Sequence, residues 1–257
     1  MGKEGQERLS ATTVLICGCG ALGSSVANQL VRAGIGIVKL VDFDHVQLDN
    51  LHRQFLFDES DAEQGVLKVT AAAKALAAAN PTVRIEPIPL RLTLENAEKL
   101  TDGVDLLVDG TDHFRVRFLL NRIAVKRKIP LVCAGVLGSA GQILVVIPGK
   151  TPCLECLLLP DDENETEKNR MDSSGMEEHG ILGPTVSLAA SLQAVEAIKI
   201  LTGNFDAVQY GIFSFDLWKN RWTTLPLQTL VNQETCPICG RLHDELKRVN
   251  ERGFHDL

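Results

Sequence analysis

No apolar run in this sequence approaches the ~20 residues that a membrane-spanning helix needs. The opening stretch, MGKEGQERLSATT, is polar and lacks the hydrophobic core of a signal peptide. A cytoplasmic setting is therefore expected. Positive charge is not in excess either, because 26 Lys and Arg face 33 Asp and Glu for a formal net charge of −7. No global field draws in nucleic acid or an anionic membrane, so any groups that bind phosphate must be local. No internal repeat of solenoid length is visible. With 257 residues, 45% of them apolar, the chain is long enough for one large α/β domain, and nothing in the composition asks for two.

Of seven cysteines, four fall into two Cys-x-x-Cys pairs, Cys153/Cys156 and Cys236/Cys239. In a reducing compartment that pairing suggests metal before disulfide. Cys17, Cys19 and Cys133 stand in apolar, strand-like surroundings and read as small buried hydrophobes.

The stretch TTVLICGCGALGSSVANQLVRAGIGIVKLVDFD reads as a strand, a glycine turn, a helix from about Leu22 to Ala33, a stop at Gly34 and a second strand ending at Asp42. This is a βαβ unit of the dinucleotide-binding type. Val66 to Ala79 is Ala-rich and helical by propensity, closed by Asn80 and Pro81. A strand over Arg84 to Ile88, a helix over Leu94 to Leu100, the strand VDLLVDGTD, a helix from Phe114 to about Arg127 and the strand IPLVCAG continue the alternation. QILVVIP, VQYGIFSFDLW and NRWTTLPL then follow as strands without intervening helices, the last two as a hairpin around Trp218 to Asn220. The expected fold is α/β and Rossmann-like: a doubly wound mixed sheet, parallel in its N-terminal half with an antiparallel C-terminal extension. In this reading 1–147 is the nucleotide-binding half and 148–183 carries a cysteine knuckle and a mobile acidic loop. Residues 184–257 supply a long helix, with Pro184 in its first turn and Gly203 as its C-cap, the antiparallel strands and the second knuckle.

Gly18, Gly20 and Gly23 form G-x-G-x-x-G between a strand and a helix, a turn that lets backbone N–H groups approach a phosphate. An acid at the end of the next strand, Asp42, suits a ribose diol in NAD and in ATP alike. An NAD-dependent oxidoreductase is thus one reading. Asn50, Arg53, Gln54 and Lys68 favour another, because an ATP attacked at its α-phosphorus needs cations and donors around its triphosphate. Asp109 and Asp112 fall at the carboxyl end of a buried strand, where an Asp can hold Mg²⁺ through oxygen. Asp112 is also placed to cap the helix starting near Phe114.

GCGALG, VDFDHVQLDNLHRQ, the lysine of GVLKV, DGTD, CLEC, SLQAVEAIK and CPICG occur in an order and spacing that resembles the ThiF/MoeB/HesA family, bacterial relatives of ubiquitin-activating enzymes. The resemblance runs from about Gly5 to Gly240. It implies adenylation, with MgATP, of the C-terminal glycine of a ubiquitin-like sulfur-carrier protein (ThiS- or MoaD-like) and release of pyrophosphate, as in thiamine or molybdenum cofactor biosynthesis. It further implies Asp42 on the ribose hydroxyls with Asp44 close by, Asn50, Arg53 and Gln54 on the phosphates, Lys68 at the ribose and α-phosphate, Asp112 on Mg²⁺, and a homodimer.

Two Cys-x-x-Cys knuckles far apart in sequence suit a tetrahedral Zn²⁺ held by Cys153, Cys156, Cys236 and Cys239. Four sulfurs leave no open position, which makes the site structural, and the family resemblance agrees. Three features depart from the pattern. Relatives often carry a loop cysteine near the position of Met176, and here no cysteine lies between Cys156 and Cys236. Adenylation without a cysteine relay is expected. Relatives usually begin with an arginine-bearing helix; the position of that arginine would fall before Met1 and Arg8 does not align with it, so either the chain starts late or that contact is replaced. His113 replaces a common Asn and is assigned no role, and His243 reads as solvated. A non-catalytic relative that binds a partner through the 157–183 loop is a third reading.

Overall fold

TVLIC, IVKLV and LLVD are short runs of apolar, largely β-branched residues, a composition that suits strands covered on both faces. In the computed structural model, which describes residues 2–157, 180–227 and 235–240, they form the centre of the parallel part of an eight-stranded sheet. The strands are β1 (Thr13–Cys17), β2 (Ile37–Val41), β3 (Arg84–Ile88), β4 (Leu106–Asp109), β5 (Leu131–Leu137), β6 (Ala140–Val146), β7 (Gly211–Asp216) and β8 (Arg221–Pro226). Their order is β3-β2-β1-β4-β5-β6-β7-β8. The first five are parallel. β6, β7 and β8 pair antiparallel, so the expected mixed sheet is the observed one.

The helices are α1 (Gly2–Ser10), α2 (Ala21–Ala33), α3 (Glu59–Glu63), α4 (Lys68–Ala79), α5 (Leu94–Leu100), α6 (Phe114–Arg127), α7 (Leu154–Leu157) and α8 (Gly183–Leu201). Alternate strand positions face opposite layers. Val14 and Ile16 join the core formed with Val26, Leu30, Leu76 and Ala190. Leu15 and Cys17 join the other, with Ala97, Leu120 and Ala124. The sheet is doubly wound. The strand order runs outward in opposite senses from β1 and β4, which stay parallel, and this switch opens a crevice at the carboxyl ends of those strands.

Local details differ from the sequence-based expectations for identifiable reasons. α4 begins at Lys68 because Val66 and Leu67 are extended: the Val66 carbonyl accepts from Val46 N at 2.9 Å, and Leu67 bridges His45. Thr202 caps α8 and Gly203 follows it at φ +78°. The β7–β8 hairpin turns as expected, with Asn220 at φ +51°. α1 has no strong sequence signal and is held by the buried Leu9 and by Gln6 Nε2 donating to the Ala33 carbonyl at 2.8 Å. Arg8 reaches Glu4 and the Thr202 carbonyl, at the end of the 19-residue α8 opposite to Gly183. Residues 158–179, with Met176 and most of the expected mobile loop, and His243 lie outside the described residues. Among the described residues no helix is long and apolar enough to cross a membrane.

Candidate nucleotide site and cysteine cluster

The crevice between β1 and β4 is built from backbone. Gly18 has φ +88°, and a Cβ there would lie 2.6 Å from the Gly110 carbonyl oxygen; one on Gly23 would lie 1.8 Å from the Gly18 oxygen. Gly18, Gly23 and Gly110 are thus fixed by the close approach of three backbone segments, and of these Gly110 was not singled out from sequence. Gly20 differs, since a Cβ there meets nothing nearer than Gln54 Nε2 at 3.7 Å. It is the N-cap of α2 with no side-chain cap, so N–H groups of the first turn are left for an anion. Gly20→Ala is expected to weaken binding of a phosphate-bearing nucleotide about tenfold while costing under about 1 kcal/mol of stability. Calorimetric titration beside urea unfolding checks both halves.

Asp42 is buried at the end of β2 and ties the glycine loop down. One carboxylate oxygen accepts from Cys19 N at 2.5 Å and the other from Asp44 N at 2.8 Å. Each oxygen keeps a further lone pair for a ligand hydroxyl. Asp44 in turn holds Lys68: its carbonyl accepts from Lys68 N at 2.9 Å and its carboxylate pairs with Lys68 Nζ at 3.1 Å. Burial pushes the Cys19 thiol far up, which agrees with an inert core cysteine.

The segment after β2 turns through a short 3-10 helix, Leu48–Asn50, and brings Asn50 and Arg53 together. Asn50 Oδ1 accepts from the Arg53 guanidinium at 2.5 Å. That guanidinium has no carboxylate partner among the described residues; its remaining contacts are the Asp49 carbonyl and the His52 ring. Gln54 is buried beside the glycine loop, and its Oε1 has no partner among the described residues.

Across the crevice Asp109 is fully buried and accepts from Thr111 N, Thr111 Oγ1 and Arg117 Nε. Arg117 also donates to the carbonyls of Thr111 (3.1 Å) and Ala134 (2.7 Å). Burial opposes the Arg117 charge most, but the attraction and hydrogen bond of Asp109 together with Cys133 and Asp112 outweigh it, and the guanidinium is held more basic than usual. Gln193 of α8 donates to the Asp109 and Val132 carbonyls, joining β4 to β5 from the other layer. Asp109 is therefore occupied in holding the strand-end loop, whereas Asp112 is 78% exposed, 3.8 Å from His113, and its charge also reaches Arg117. Asp112 does not cap α6: His113 takes the cap position, without a side-chain cap bond. Of the two acids, Asp112 is the one open to solvent. Sequence reading missed Arg117 and Gln193, whose partners are 8 and 84 residues away.

The two cysteine pairs converge on the other face of the sheet. Cys153, Cys156, Cys236 and Cys239 are buried, with sulfurs all within 4.8 Å of one another. The separations are 3.9 Å for Cys153–Cys156, 3.7 Å for Cys153–Cys236 and 3.3 Å for Cys156–Cys239. With Zn–S bonds of about 2.3 Å, a tetrahedron places its sulfurs about 3.8 Å apart. The donor set fits a structural zinc ion.

Comparison with known proteins agrees with this geometry. The ThiF family model matches residues 1–238. The sulfur carrier protein ThiS adenylyltransferase of Bacillus subtilis is 36% identical over 93% of this chain and 68% of that protein. The sulfur carrier protein adenylyltransferase of Thermus thermophilus is 36% identical over 100% of this chain and 93% of its own length. Among solved structures, E. coli MccB with ATP has a TM-score of 0.77 at 25% identity, covering 92% of this chain and 69% of that one.

Proposed function

The chain belongs to the ThiF family of E1-like nucleotidyltransferases, and from that premise we propose that it uses MgATP to adenylate the C-terminal glycine of a small ubiquitin-like sulfur-carrier protein, releasing pyrophosphate. One observation carries the reading. Around the glycine loop stand polar groups with capacity to spare: the uncapped start of α2 and, among the described residues, the Arg53 guanidinium without a carboxylate partner and the buried Gln54 with its orphan oxygen. The helix start would serve the pyrophosphate of NAD equally, but a nicotinamide site leaves Arg53 and Gln54 without a use.

The carrier carboxylate is ionised at neutral pH, so no residue need act as a base. One of its oxygens bonds to the α-phosphorus as the bond from that phosphorus to the bridging oxygen breaks, and pyrophosphate leaves with the electron pair. The obstacle is the approach of two anions, which positioning and fixed positive charge overcome. In this reading Asp42 holds the ribose hydroxyls, Lys68 lies at the ribose and α-phosphate, and Asn50, Arg53 and Gln54 hold the outer phosphates. Asp112 would hold Mg²⁺, which when bound supplies positive charge at the phosphate oxygens. With no cysteine between Cys156 and Cys236, the product is read as the acyl-adenylate rather than a thioester on this chain. We also infer a homodimer, to be checked by sedimentation against the 28.0 kDa monomer mass.

The test is exchange of labelled pyrophosphate into ATP in the presence of ThiS-like or MoaD-like carriers, each intact or lacking the terminal glycine. Label should enter ATP only with an intact carrier. Tight ATP binding without exchange for any carrier would favour a partner-binding protein, and binding of NAD but not ATP an oxidoreductase.

A further inference from the structure

α6 grips the first cysteine knuckle with polar groups. Asn121 is fully buried on that helix. Its Oδ1 accepts from Leu154 N at 3.0 Å and its Nδ2 donates to Glu155 Oε2 at 3.1 Å. Leu154 and Glu155 are the two residues between Cys153 and Cys156. The second Glu155 oxygen accepts from Arg122 Nε at 2.6 Å, so both ends of the carboxylate are engaged. A buried acid beside four thiolates has the wrong sign for a centre whose ligands already outweigh the charge of a zinc ion. Four sulfurs also complete the tetrahedron and leave Glu155 no place as a ligand. What the acid supplies is a fixed handle on the turn.

We propose that Asn121 is a positioning residue for zinc: together with Glu155, steadied by Arg122, it holds the 153–156 turn in the conformation that aims both thiolates at one point. The proposal rests on reading the cluster as a zinc site. The clamp has a firm base, because Arg117, one turn before Asn121, anchors α6 to Asp109 of β4 and to the Ala134 carbonyl of β5. Fixing a turn in its bound conformation raises affinity by removing the ordering cost of binding. The clamp therefore affects how tightly the metal is held as well as how stable the fold is.

Competition against a chelating dye measures the affinity. Asn121→Ala should bind zinc about 10- to 100-fold more weakly, and Arg122→Ala should lose less, since that side chain is 61% exposed. Asn121→Asp alone sets two carboxylates face to face and should also bind weakly. Adding Glu155→Gln turns the second residue into a donor, restores the pairing with reversed polarity, and should return the affinity to within about threefold of the parent. Unfolding of the metal-free variants is followed alongside. If Asn121→Ala lowers metal-free and zinc-loaded stability equally and leaves the affinity unchanged, the residue is merely structural and the proposal is overturned. If that variant does not fold, a double exchange no better than Asn121→Asp alone overturns it. A parent protein that binds no zinc would instead sink the zinc reading itself.

Discussion

Arg53→Ala should lower carrier-dependent ATP/pyrophosphate exchange by about 10²- to 10³-fold, the loss typical of removing one preorganised donor from a developing charge. The size follows from what surrounds the side chain. Most cations here are already matched by acids: Lys68 with Asp44, Arg117 with Asp109, Arg122 with Glu155. Arg53 is held in place by a neutral partner, Asn50, and a backbone carbonyl. Its charge is oriented but not neutralised, which is the condition for acting on a phosphate. Because no buried acid would be left unpaired, Arg53→Ala should cost no more than about 1 kcal/mol in urea unfolding. Arg53→Lys keeps the charge but loses the two-pronged donor geometry and should recover only part of the rate. Exchange within about threefold of the parent for Arg53→Ala would remove this residue from the transition state.

The parts of this site that could be read in the sequence are those whose chemistry is local. The glycine loop, Asp42 and the Asn50–Gln54 segment sit within one βαβ unit and its exit, where spacing alone fixes which strand end they share. The strands followed from apolar runs bounded by turn residues. What stayed hidden depends on pairs distant in sequence or on packing between layers. Asp109 and Asp112 look alike in DGTD, and family resemblance alone separates them in sequence; the fold gives the physical difference, with Asp109 in a buried ion pair with Arg117 and Asp112 exposed. Asn121 and Glu155 likewise look like an ordinary helix residue and an ordinary acid until α6 and the knuckle meet. α1 was missed because its sequence is polar overall, and its place is set by the single large buried side chain of Leu9 and by bonds to α2 and the end of α8.

Loss of the cysteine cluster should have the largest effect on stability. The sulfurs join positions 83 residues apart, so a metal held there closes a long loop, and clips of that kind restrict the unfolded chain most. By the entropy of closing a loop of that size, the crosslink contributes about 4–5 kcal/mol. In a chain this long each kcal/mol moves the midpoint by about 2–4 °C. Cys236→Ser with Cys239→Ser, or exhaustive chelation of the parent, should therefore lower the unfolding midpoint by roughly 10 °C or more. The two treatments should not add, because both remove the same link. ATP binding at low temperature should survive, since none of the four cysteines lies on the glycine loop, the 48–57 turn or the β4 end. A parent protein that carries no zinc by elemental analysis, and whose midpoint is unmoved in the double variant, would reduce the cluster to four buried thiols packed against α6.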